Sequence, residues 1–163
     1  MDLDQSLKKL KESKQFKDWS KKNPQTFFSY ALKPSDNDTL QLGFYNKKTD
    51  KMTTFVLNKE IEMQQEEEIF KKPDMEVNPI EMEKVKIPYD EIFKKAEQFQ
   101  KKKYPKELVN KTIAILQNLK EYGNIWNITY VMHSFKTLNM KINPENGEII
   151  DHNLQSLMDF VEK

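Results

Sequence analysis

Ile142-Asn143-Pro144-Glu145-Asn146-Gly147-Glu148-Ile149 is a turn between two apolar runs, and a weaker form of it stands at Tyr45-Asn46-Lys47-Lys48-Thr49-Asp50-Lys51-Met52. Each residue type breaks regular structure for its own reason: Pro fixes φ, Asn bonds the nearby backbone, and Gly tolerates positive φ. Two such turns suggest one supersecondary unit used twice. The apolar alternation before the turn slips by one residue between the copies, a shift that would rotate every side chain to the opposite face of a strand.

Working outward, the residues before each turn alternate as strands do. Leu40, Leu42 and Phe44 share one face, and Trp126, Ile128, Tyr130 and Met132 share another, with Asn127, Thr129 and Val131 opposite. Aromatic and β-branched content predicts strands over 26–32, 40–45 and 52–57 in the first half, and over 112–119, 125–132, 137–142 and 148–151 in the second. The clearest helix opens at Pro88 and closes at Tyr104-Pro105, with Tyr89, Ile92, Phe93, Ala96, Phe99 and Tyr104 on its apolar stripe. Asp90 and Glu91 in its first turn and Lys101, Lys102 and Lys103 in its last complement the helix dipole. Leu3, Leu7 and Leu10, then Phe16 and Trp19 on a shifted face, predict one bent helix or two short ones before Asn23-Pro24. A short strand over 83–87 and a helical tail over 154–161 complete the reading.

The expected fold is α+β, a helix packed on a curved antiparallel sheet, occurring as two units. Helices and strands are not interleaved as a parallel sheet requires. Residues 1–58 form the first unit, 59–83 a charged linker containing Glu66-Glu67-Glu68, Lys71-Lys72, Pro73 and Pro79, and 84–163 the second unit.

From Pro88 to Leu157 the chain resembles PepSY-like domains of the cystatin-like group, through the helix, the strand over 125–132 and the closing hairpin Met140 to Ile149. That resemblance implies a non-catalytic domain that restrains or binds other proteins. Nearly the whole chain, including 111–119 and 126–130, is also similar to uncharacterised archaeal proteins, a likeness that implies no activity. PepSY-like domains are typically extracytoplasmic, whereas Met1-Asp2-Leu3-Asp4-Gln5 shows no export signal. The inhibitory Gln-x-Val-x-Gly wedge of cystatins is also missing; Gln41-Leu42-Gly43 lacks both the Val and the spacing.

Composition excludes several chemistries. The 163 residues contain no Cys, which removes disulfides, thiolate catalysis and most structural zinc sites. Every basic residue is Lys; without Arg there is no bidentate fork for guanine or phosphate. Net charge is +1, so no overall field draws the protein to nucleic acid or an anionic membrane. An acidic start with no apolar segment leads to the expectation of cytoplasmic localisation, with no cofactor, no specific nucleic acid and no membrane as partner.

The candidate binding surface is Trp126, Tyr130, His133 and His152. Trp126 and Tyr130, with Phe135 nearby, have the spacing of an aromatic strip for a peptide or stacked bases, and equally that of a core-facing strand. His133 and His152, the two histidines of the chain, would form a metal or acid/base site with Asp151 if their strands met. The residues lead to a non-enzymatic protein-binding or regulatory module contacting a protein or peptide. The alternative is a small-molecule binder or enzyme with a pocket between helix and curved sheet and His133 or Tyr130 as its polar group. Single-stranded nucleic-acid binding through Trp126 and clustered Lys is the third reading.

Overall fold

The computed structural model describes residues 1–69 and 76–158. Among the described residues, three α-helices and nine antiparallel strands follow in the order α1 (Leu3–Glu12), α2 (Lys14–Lys22), β1 (Thr26–Pro34), β2 (Leu40–Asn46), β3 (Lys51–Leu57), β4 (Ile61–Met63), β5 (Glu67–Glu68), α3 (Tyr89–Lys103), β6 (Val109–Leu119), β7 (Gly123–Met132), β8 (Lys136–Ile142) and β9 (Ile149–Ser156). The α+β class and the antiparallel sheet expected from sequence are present.

All strands join one open sheet in the order β4-β3-β2-β1-β6-β7-β8-β9, with β5 paired to β3. The seam at its centre is the antiparallel β1–β6 pair, running from Tyr30 opposite Gln117 to Pro34 opposite Ile113. On each side of the seam, helical elements precede a meander in chain order. Register shifts between Phe28 and Tyr30, Val109 and Lys111, and Lys141 and Ile142 are bulges, which bend and twist the strands that carry them.

One row of cross-strand partners shows where the core sits. Phe55, Leu42, Ala31, Leu116, Trp126 and Ile142 lie side by side across six strands, and all are buried. Leu3, Leu7 and Leu10 of α1, Phe16 of α2, and Ile92 and Ala96 of α3 belong to the same apolar cluster. The neighbouring row, Val56, Gln41, Leu32, Ile115, Asn127, Lys141 and Asp151, faces the other way and is half-buried to exposed. One face covered and one face wet is the ordinary condition of an antiparallel sheet.

The first helical segment is two helices because Ser13 ends one and starts the next. Its hydroxyl donates to the Leu10 carbonyl at 2.6 Å and accepts from the Phe16 N–H at 3.2 Å. Phe16 and Trp19 then reach Phe44 and Phe55, with ring centroids 5.1–5.7 Å apart. Gly43 lets Tyr30 lie flat across β2: a Cβ there would sit 1.9 Å from Tyr30 Cε1.

The turn from Asn143 to Gly147 does more than join strands. The Pro144 carbonyl accepts the N–H groups of Lys86 and Ile87 at 3.0 and 2.9 Å, tethering the entrance to α3. Gly147 has φ +78, and a Cβ there would meet Lys95 of α3 at 2.8 Å. The turn at Asn46 uses the same devices: Asp50 N–H donates to the Asn46 carbonyl as Gly147 N–H does to Asn143, each at 2.8 Å. Both turns also hold a residue at positive φ. Their places in the sheet differ, however. Counting outward from the seam, the β2–β3 turn corresponds to β7–β8, not to β8–β9, so matching turn chemistry did not mark matching positions.

Two sequence expectations are corrected. Residues 83–87 form no strand; Met82–Lys84 is a 3-10 turn. The helical tail over 154–161 is replaced through Ser156 by β9, because Leu154, Gln155 and Ser156 pair with Leu138, Thr137 and Lys136, while 159–161 lie outside the described residues. Inside the segment read as linker, β4 and β5 pair with β3.

Candidate binding surface

Trp126 and Tyr130 do not form a surface strip. Both stand on β7 with the sheet continuing on either side and α3 above, and they are 1% and 2% exposed. Tyr89 packs on Trp126 with centroids 5.0 Å apart, and Phe93 on Tyr130 at 6.2 Å. Alternation on β7 served packing, which required the same spacing as a binding strip. Trp126 Nε1 and the Tyr130 hydroxyl have no hydrogen-bond partner among the described residues. Burial drives the Tyr130 phenol far above its ordinary pKa, helped by the charges of Glu97 and Tyr89. Burial, then Asp90, pushes Tyr89 up to about 12.

His133 and His152 are exposed and lie apart. His133 follows the end of β7, where its backbone N–H donates to the Leu108 carbonyl at 2.9 Å. His152 sits on β9 opposite Met140, which itself faces Ile128, four residues short of the end of β7. Its ring packs on Phe99 at 4.8 Å, and Nδ1 is 3.1 Å from the Tyr104 hydroxyl. Asp151 points to the other face and accepts from the Tyr122 hydroxyl at 3.0 Å, which raises the Tyr122 pKa. The proposed meeting of His133, Asp151 and His152 therefore does not occur. Among the described residues no group of three or more His, Asp or Glu is placed to hold a metal ion.

The sheet offers a different feature, its two edges. One is blunted: β4 has 3 residues, β5 has 2, and Glu60, Glu62, Glu66, Glu67 and Glu68 stud the segment. The other edge is β9, with 8 residues, no Pro, no Lys, and Asp151 as its one acidic side chain. Among the described residues, the backbone of β9 hydrogen-bonds to β8 alone. An unpaired edge of that length exposes a row of N–H and C=O groups ready to template another strand. Sequence reading ended this strand at Asp151 and so missed the edge; the apolar-polar run through Ser156 was the available signal.

A cavity of ≈ 160 Å³ lies beside the start of α3, lined by Met1, Asp4, Ile87, Pro88, Tyr89 and Trp126 among others. It includes neither His133 nor Tyr130, the polar groups expected of a pocket between helix and sheet. No known protein family, curated protein or solved structure matches the chain.

Proposed function

We propose that the chain is a non-enzymatic protein-binding module of two cystatin-like units, 1–58 and 84–163, that takes an extended segment of another protein along the free edge of β9. The bare eight-residue edge carries this reading. Backbone hydrogen bonds to an added strand supply affinity, and the alternating side chains of β9 supply selectivity. The PepSY-like resemblance of 88–157 favours the same role, because such domains restrain or bind proteins without catalysis. Placing Lys on the edge is how natural sheets refuse such pairing. Asn153→Lys with Gln155→Lys should release a protein captured by the immobilised wild-type chain while leaving the melting curve unchanged. If the double variant captures that protein equally well, the edge is not the site.

A small-molecule role is the second reading, favoured by the cavity that reaches Trp126. A compound that raises the melting temperature of the wild type, but not of a Tyr89→Ala variant shown to be folded, would establish it over strand addition.

A further inference from the structure

We propose that the end of the molecule bearing Leu108, Phe135 and Met158, with Lys101, Lys102, Lys103 and Lys106 beside it, docks on an anionic lipid surface. This goes beyond the β9 edge and does not rest on it. Among the described residues four have positive φ: Gly123, Gly147, Asp50 and Phe135. Gly reaches that region without strain and Asp is enriched there, but a bulky aromatic side chain is an outlier. In the β7–β8 turn the Phe135 N–H donates to the Met132 carbonyl, and the Phe135 carbonyl accepts from Leu157, so the backbone is held. A turn that needs this conformation is ordinarily filled by Gly or Asn.

The chain instead places Phe there and leaves it 70% exposed. Such a side chain adds nothing to the core and strains the turn, so its use lies outside the fold. Leu108, 70% exposed, is tied to the same turn through its carbonyl bond from His133. Met158, 60% exposed, follows the Leu157 that donates to Phe135.

Beside this apolar end, lysines outnumber the acids among the described residues. Lys101, Lys102 and Lys103 close α3 and Lys106 follows, all exposed. Lys101 pairs with Glu97 at 2.7 Å, while Lys102, Lys103 and Lys106 make no ion pair among the described residues. Glu107, the nearby acid, accepts from Ser134 at 2.6 Å and from Lys136 at 3.2 Å, contacts that hold its carboxyl below the usual range and spend its charge locally. Gln100 fixes the corner by donating to the carbonyls of Tyr104 and Glu107, each at 3.1 Å. Apolar side chains on turns and strand ends have no pocket shape to match a protein, whereas insertion among lipids needs none. Lysines around them then meet anionic headgroups. The near-neutral total charge conceals this local excess.

The test mixes the full chain with vesicles of phosphatidylcholine, alone or with phosphatidylglycerol, and follows cosedimentation. Wild type should bind the anionic vesicles and leave them at high ionic strength. Phe135→Asn should lower partitioning about tenfold while raising the melting temperature, a combination that a structural role for Phe135 could not give. Lys102→Glu with Lys103→Glu should weaken binding by about a hundredfold. Equal binding to neutral vesicles, unchanged binding by Phe135→Asn, or a lowered melting temperature in that variant would overturn the proposal. So would self-association of wild type that Phe135→Asn abolishes in the absence of vesicle binding, which would assign this end to a second copy.

Discussion

The two sides of the β1–β6 seam solve the same packing problem differently. From β1 to β4, Ser29 donates to the Gly43 carbonyl, Tyr30 shares a hydrogen bond with Thr54, and the Phe16, Trp19, Phe44 and Phe55 rings interlock. The outer edge is short and acidic. From β6 to β9, Trp126 and Tyr130 bury polar atoms that have no partner among the described residues, a turn holds Phe at positive φ, and the outer edge is long and nearly uncharged. The first side spends its residues on stability. The second departs from local rules in its core, at one turn and along its outer edge, and such departures are expected where function competes with folding.

The largest test of that contrast is Phe55→Ala, which should cost about 4 kcal/mol in urea denaturation because a fully buried ring leaves a cavity. Followed through Trp126 alone, in a Trp19→Phe background, the loss should appear undiminished, since the seam and shared core make both sides unfold together. A transition at Trp126 that ignores the substitution would separate the two sides. A smaller effect should differ in sign across the seam. Tyr130→Phe removes a buried hydroxyl that has no partner among the described residues and should stabilise by about 1 kcal/mol, whereas Tyr30→Phe abandons Thr54 and should cost about 1 kcal/mol. Equal signs would erase the distinction.

A further effect is confined to alkaline pH. Tyr89 titrates near 10 when unfolded and at about 12 when folded, so the native state holds the proton longer. Stability from this residue is complete below the unfolded value and declines as pH rises from 10 toward 12. Tyr89→Phe should flatten that decline in melting temperature against pH.

Most of the scaffold was legible because periodicity reports burial directly. Asp90, Glu91 and Pro88 bounded α3, and the alternation of Trp126, Ile128, Tyr130 and Met132 grouped on one face of β7 the residues that the structure buries. What the sequence hid was whatever depends on neighbours distant along the chain. Alternation cannot distinguish an aromatic strand under a helix from one facing water, so Trp126 and Tyr130 entered the candidate surface. Nor can it show that β1 and β6 meet or that β9 ends a sheet. Phe135 was noticed only as a neighbour of Trp126 and Tyr130; its significance lies in a backbone dihedral, which composition does not encode.

The central seam also sets a schedule for assembly. Tyr30 to Pro34 must find Ile113 to Gln117, partners roughly eighty residues later in the chain, so closing that pairing is entropically costly and slow compared with the local hairpins. During synthesis, β1 waits as a raw border until the ribosome has released β6. A nascent chain stalled before residue 109 would therefore be the species most exposed to misassociation, and a chaperone that shields strand borders would speed maturation more than one that accelerates helix formation.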